Sequence, residues 1–571
     1  MTDKTLDNRR FPRHMHATVP MTARLEPWMQ RLLADPAQCA NLLQTYDSPV
    51  NVLAPHVLPR NADELVRAGE VNGVEVRVFY ARKANKGLSF VDAALAAGHG
   101  IDVASERELL QVLSRGAEPD HVILSAAVKP DRLLQQAVGA GVYISVDSVA
   151  EMQRIQAVAS AASATARIVP RIAPNPNRLP PTRFGELAGT WEAALLQGLP
   201  ENVKVHGVHL HLHGYSEADR RIALADAIAV VDTAVLAGHP VNFIDLGGGV
   251  PMSYLDAKPE WDNFQKELAA ARAGEREPFT WKGDPLNNTY PFWQEPTRGE
   301  WLKQLLAGQL GGDVEDATFG ESATAHESFA EHSIDSDSTV PVAEALRSRN
   351  LRLHMEPGRS VLDGGGVILA RVAFVKKRSD GVDIVGLEMN RTQCRTTSDD
   401  ILLDPVLVPA AARPTAADSH EAQNGSQAAV AGNGSQAAEA ENGQQAAEAG
   451  NGQQAAAVNG QQAAAAENRE QAAEADQREN AGLNAFLVGA YCIEDEVIIR
   501  RAMHFPDGVQ SGDIIAIPNT AGYFMHILES ASHQIPLARN VFVDSAGANP
   551  LPDEIDLITA TRANADSARG N

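Results

Sequence analysis

Between Val74 and about Val372 the chain repeats one short pattern, an apolar β-branched run followed by a helical stretch such as Arg107 to Leu113 or Ile222 to Ala237. Strands separated by helices return to a sheet in parallel, so the pattern predicts a parallel α/β barrel with its functional loops at the C-terminal ends of the strands. The first run, Val74 to Tyr80, leads straight into Lys83. Its β-branched and aromatic residues mark a buried strand. A lysine at such a strand end is expected to be partly desolvated, with a lowered pKa and an amine able to form a Schiff base with a carbonyl. The plainer alternative is a lysine that snorkels into solvent.

Three later stretches carry further chemistry. In Gly207-Val208-His209-Leu210-His211-Leu212-His213-Gly214-Tyr215-Ser216, strand alternation puts His209, His211 and His213 on one face and Val208, Leu210 and Leu212 on the other. No carboxylate or cysteine stands at metal-site spacing beside these histidines, so no metal centre is expected. Phe243-Ile244-Asp245-Leu246 opens into Gly247, Gly248 and Gly249, a turn whose amides can approach an anion closely or which is simply tight. Leu351 to Ser360 ends a strand in Glu356-Pro357-Gly358-Arg359, a carboxylate and a guanidinium that could equally form a surface ion pair.

Taken in order, these stretches resemble the pyridoxal phosphate decarboxylases of the alanine-racemase-like barrel fold, the diaminopimelate, ornithine and arginine decarboxylase group. Tyr80-Ala81-Arg82-Lys83-Ala84-Asn85 resembles the family's cofactor-lysine motif, and Asp102, Ala104, Ser105, Glu108 and Leu109 its second-strand motif. Val142 to Ser148 and Ile168 to Ile172 look like the strands that follow. The resemblance implies that His211 stacks on the cofactor ring, that Gly247, Gly248, Gly249, Gly358 and Arg359 hold its phosphate, and that Glu356 pairs with the ring nitrogen. The family's His-x-Gly-Ser is altered here, so the phosphate-touching serine is either Ser216 or absent.

Gly489-Ala490-Tyr491-Cys492-Ile493-Glu494-Asp495-Glu496 resembles the family's Gly-Pro-x-Cys-Glu-Ser-x-Asp segment, with its acids displaced. Cys492 then matches a cysteine that reaches across a dimer interface to return a proton, a buried structural thiol being the alternative. Which of Glu494, Asp495 and Glu496 faces substrate stays open. Thr520 to Tyr523 resembles the closing motif whose tyrosine approaches phosphate, but the family's Phe-Asn is replaced by Glu529 to Gln534.

The fold implied is a TIM-like (β/α)8 barrel plus a C-terminal β-domain. The boundaries expected are an N-terminal extension over 1–45, a lead-in strand and helix over 46–73, the barrel over 74–372, the β-domain over 373–550 and a tail over 551–571. The barrel carries an insertion at about 255–341, aromatic at first and acidic from Gly311 to Ser338. The β-domain is interrupted at about 410–482 by a short Asn-Gly-Ser/Gln-Gln-Ala-Ala repeat, read as disordered linker because alanine buries too little to build a solenoid. Beyond the barrel, strands are expected at Val367 to Phe374, Val382 to Leu387, Phe486 to Val488, Val497 to Ile499 and Ile514 to Ile517.

A net charge of −24 argues against nucleic acid and anionic membranes as partners. Three cysteines and no signal-peptide or spanning segment fit a soluble cytoplasmic protein. The activity implied is decarboxylation of a dibasic or diaminopimelate-like amino acid by a homodimer, through a pyridoxal 5'-phosphate aldimine on Lys83 and a quinonoid carbanion. The competing readings are a racemase on the same fold and a non-catalytic, antizyme-inhibitor-like relative.

Overall fold

The computed structural model describes residues 10–311, 340–397, 400–410 and 482–557. The expected acidic loop, all but the edges of the expected linker and most of the 551–571 tail lie outside the described residues.

Eight parallel strands close into a barrel: Val76–Ala81, Gly100–Val103, Val122–Leu124, Tyr143–Val146, Ala166–Ile172, Gly207–Leu210, Phe243–Asp245 and Arg352–Met355. Closure comes where Leu353 stands opposite Val76 and Met355 opposite Val78. Helices between strands begin at serine caps. Ser105, Ser148 and Ser216 accept from the backbone N–H groups of Glu108, Glu151 and Asp219, satisfying amides that have no partner inside the helix. The Glu108 carboxylate accepts from the Ala104 N–H at 2.7 Å, so Ser105 and Glu108 of the second-strand motif work as a helix-start device.

Side chains two residues apart on a strand share a face, and this rule builds the barrel interior in layers. The lower layer is aromatic. The Phe243 ring stacks on His354 at 3.8 Å, Phe79 lies 4.7 Å from His354, and Tyr143 meets Phe243 edge-on. Gly100 and Gly207 belong to this layer, since a Cβ on either would strike the Phe79 or Phe243 ring. One step toward the C-terminal mouth, two residues on, stand Asp102, Ser145, Arg171, His209, Asp245 and Glu356, all buried. The aromatic floor excludes water from below and leaves this polar ring facing upward.

The second sheet is organised around the long strand Gly366–Lys377, which pairs with Val50–Leu53, Asp383–Leu387 and Ile514–Pro518. Val50–Leu53 also runs parallel to Arg539–Phe542, so both ends of the described chain meet in this sheet. Val497 to Ile499 does not form the expected strand and makes only a single bridge, Val497 to Val488. Residues 10–45 are built in. His16–Ala17 pairs with Met503 and His504, and helices Pro27–Leu33 and Pro36–Tyr46 pack Trp28, Leu32 and Leu43 on Val52, Leu369 and Ile514.

Trp28 is 1% exposed and its indole N–H donates to Gly364 O at 2.8 Å. Trp28→Ala is therefore expected to lower stability by about 3–5 kcal/mol, read as a shifted denaturant midpoint, while an appended tail would leave it unchanged.

Candidate active site

Lys83 follows its strand in a single helical turn, Arg82–Ala84, which lifts the side chain over the barrel mouth. Its ammonium donates to Asp102 Oδ2 at 2.7 Å and approaches Ser125 Oγ at 3.5 Å, while the Ser125 hydroxyl donates to Asp102 Oδ1. Burial alone pulls the lysine pKa down, as expected of a strand-end amine, but Asp102 and Glu356 outweigh it and the net shift is upward. The expectation of a lowered pKa is thus corrected by a carboxylate supplied from the neighbouring strand.

Glu356 ends the strand that pairs with the lysine's own on the side away from Asp102; it is 2% exposed, and neither carboxylate oxygen has a hydrogen-bond partner among the described residues. Burial, then Asp102 and Asp245, pushes its pKa well above the ordinary carboxylate range. His209 Nε2 stands 3.7 Å from Glu356 Oε2, and its Nδ1 pairs with Ser145 Oγ at 2.6 Å. His211 lies one residue past the strand end and accepts the Gly248 N–H on Nδ1 at 3.3 Å. Burial holds both imidazoles neutral, far below their usual pKa. The third histidine departs from the expected face: the strand stops at Leu210 and His213 is exposed.

Ligand-capable atoms of His209, His211 and Glu356 all lie within 4.8 Å of one another, so the carboxylate missing from the local sequence is supplied by a distant strand. We read this trio as the cradle of an aromatic ring and its nitrogen, in keeping with the lysine beside it.

At the other end of the mouth, Arg359 is held by Tyr254 OH and Gly522 O, both at 3.1 Å, with its guanidinium 4.2 Å from the Tyr290 ring centroid and 5.3 Å from that of Tyr523. Tyr290 belongs to the aromatic part of the insertion, and its hydroxyl meets that of Tyr215 at 2.8 Å. Gly358 permits the approach of Tyr523, whose hydroxyl would lie 2.6 Å from any Cβ there. Of the glycine turn, the Gly247 N–H donates to Asp245 Oδ1 and that of Gly248 to His211, so those two amides are taken. Ser216 spends its hydroxyl on the helix cap.

Cys492 is exposed on the β-domain, so the alternative of a buried thiol does not apply to this chain. Asp495 accepts from Trp281 and Lys282, and Glu496 is buried, accepting the Arg391 N–H at 2.7 Å.

Sequence reading missed Asp245, Ser125, Ser145, Arg171 and Tyr290 as site residues. The first four could have been found by counting two residues on from the strand's interior positions, whereas Tyr290 had no local signal. Burial, opposed in part by the Gly247 N–H and aided by Asp102, pushes Asp245 up to about 7. The unfolded chain releases this proton near pH 4, so stability present below that value declines as pH rises to about 7 and is flat beyond. In cofactor-free protein, Asp245→Asn is expected to shrink the stability loss between pH 4 and 7, measured by urea unfolding at several pH values.

Residues 63–278 match the family described as pyridoxal-dependent decarboxylase, pyridoxal binding domain. The chain is 25% identical over 517 residues to the uncharacterized protein y4yA of Sinorhizobium fredii, a match covering 89% of this chain and 91% of that protein. It is 27% identical over 245 residues to the diaminopimelate decarboxylase of Vibrio cholerae serotype O1, covering 40% of this chain and 58% of that enzyme. Diaminopimelate decarboxylase from Helicobacter pylori, solved in complex with L-lysine, shares the fold with a TM-score of 0.57 at 15% identity, over 92% of this chain and 99% of that one.

Barrel, β-domain and sequence match together define a pyridoxal-phosphate-binding protein of the alanine-racemase-like fold. Residues 63–278 are similar to the pyridoxal-binding domain of the pyridoxal-dependent decarboxylases, and the fold is shared with diaminopimelate decarboxylase. Its residues fit that cofactor. Glu356 offers two unpartnered buried oxygens to a protonated ring nitrogen, and Lys83 offers an amine to the aldehyde. Among the described residues no helix is long and apolar enough to cross a membrane.

Proposed function

We propose that this carboxy-lyase removes the α-carboxylate of a dibasic or diaminopimelate-like amino acid at the mouth formed by Lys83, Asp102, Glu356 and Arg359. The observation that carries the reading is the buried Glu356 carboxylate without hydrogen-bond partners, at the end of the strand next to that of Lys83. Pyridoxal 5'-phosphate, when bound, supplies an aldehyde for an amine and a protonated ring that accepts the electron pair left on Cα as CO2 departs.

The chain's own groups divide the remaining work. Lys83 would hold the cofactor through its aldehyde, and Asp102, which accepts from the lysine ammonium, would take up and return that proton. Glu356 keeps the proton on the ring nitrogen, which a neutral residue there would not do. His211, already neutral, packs against the ring without competing for its charge. Arg359 and Tyr523 bind the phosphate, with the glycine turn. Cys492 delivers the proton to Cα from a second subunit, in keeping with its exposure in the single chain. Support for a basic substrate comes from the two relatives described as diaminopimelate decarboxylase, one of them solved with L-lysine.

The test is product analysis of the purified enzyme with diaminopimelate, ornithine, arginine and lysine. CO2 release matched by the corresponding amine or by lysine supports the reading. An inverted enantiomer without CO2, or no turnover of any of the four, overturns it.

A further inference from the structure

One buried cation lies beside the site and belongs to none of the motifs discussed above. Arg220 stands in the first turn of helix Glu217–Leu236, 1% exposed. Its Nη2 donates to Gly214 O at 3.0 Å, Gly248 O at 3.2 Å and Gly249 O at 3.1 Å, and its Nη1 to Ser216 O at 3.0 Å. Among the described residues no carboxylate lies within ion-pair distance, and Trp301 covers it with a ring centroid 5.2 Å away. Desolvation pulls its pKa down to about 10, and the group stays charged at neutral pH. Asp219 and Glu217 of the same turn offset the charge only in part, and a buried guanidinium whose hydrogen bonds all go to carbonyl oxygens is costly unless a further anion comes near.

The geometry says where that anion sits. In a trans peptide the C=O and the following N–H point in opposite directions. Pinning the Gly248 and Gly249 carbonyls on Arg220 therefore turns the N–H groups of Gly249 and Val250 to the opposite side of the turn. Neither amide donates in the hydrogen bonds of the described residues. Gly247 and Gly249 adopt φ of +63° and +73°, the left-handed turns from which anion nests are built. The same guanidinium also ties this turn to Gly214 and Ser216 of the altered histidine motif, whose serine hydroxyl is occupied by its helix cap.

We propose that Arg220 is a positioning residue for the cofactor's phosphate: it locks the glycine turn so that the Gly249 and Val250 amides face the dianion, and it supplies buried positive charge behind them. The inference rests on the cofactor reading given above and adds a residue to it. It makes selectivity for the phosphorylated over the unphosphorylated aldehyde a property of Arg220.

The experiment titrates cofactor-free protein with pyridoxal 5'-phosphate and, separately, with pyridoxal, following visible absorbance. Arg220→Met is expected to weaken pyridoxal 5'-phosphate binding roughly tenfold or more, and pyridoxal binding less than about twofold, as expected when one charge-assisted anion contact is lost. Arg220→Lys should recover part of that preference through its charge. Gly249→Ala approaches from the other side, because its Cβ would collide with the Arg220 guanidinium and lie 2.6 Å from Gly214 O. It should reduce the same ratio and keeps the test open if neither Arg220 variant folds.

Equal losses for both aldehydes, or an unchanged ratio in every variant that folds, overturn the role of Arg220. A parent protein that binds neither aldehyde fails at the earlier step and overturns the cofactor reading itself.

Discussion

Lys83→Ala is expected to reduce turnover by on the order of a thousandfold or more, the scale of losing a group that both bonds the cofactor and moves a proton. The structure explains why nothing nearby replaces it. The amine sits in a pocket made by Asp102 and Ser125, and the neighbouring Arg82 is committed elsewhere, donating to the Asn85 and Lys86 carbonyls and to Gln111. Asp102, left without its ammonium, keeps only the Ser125 hydroxyl as a side-chain partner. The variant should still bind the phosphorylated cofactor, because phosphate recognition lies at the Arg359 end. Steady-state CO2 release and cofactor retention on gel filtration separate the two effects.

Glu356→Gln has the second largest expected effect. The amide matches the carboxylate in size and leaves the aromatic floor undisturbed, but it carries no charge to hold a proton on the ring nitrogen. Turnover should fall about 100- to 1,000-fold, the usual scale for removing one preorganised electrostatic contact at a reacting centre. Cofactor binding should change little, and the bound cofactor's absorbance should move toward that of a neutral ring. A variant with normal rate would place the ring nitrogen elsewhere.

Sequence reading recovered the barrel because strand and helix periodicities are local and repeat eight times. It singled out Lys83, His211, Glu356 and Arg359, which the structure brings to the barrel mouth, because each lies in a motif that follows a recognisable strand. Two errors share a cause. The upward shift of Lys83 depends on Asp102, one strand away, and the carboxylate beside His209 is Glu356, nearly 150 residues on. Contacts between strands are set by barrel closure, which no local window contains. His213 was misplaced for the opposite reason, since alternation was extended three residues beyond the strand's last residue, Leu210.

Other parts were illegible because they depend on packing at a distance. The first 45 residues have little strand or helix signal, but once the sheet forms residues 10–45 cover one face of it with Trp28, Leu32 and Leu43. The insertion's Tyr290 joins the site only through Tyr215 and Arg359. Arg220 falls just before the helix expected from Ile222 to Ala237 and carries no local signal, since the four carbonyls that surround it come from two separate loops.

The central claim is that the pyridoxal cofactor is held by Lys83 and by no other lysine. Borohydride reduction of the holoprotein, followed by proteolysis and peptide mass mapping, tests it most directly. A single pyridoxyl group on the peptide containing Lys83 is the expected result. A pyridoxyl group on any other lysine, or none on a protein saturated with cofactor, would contradict the account.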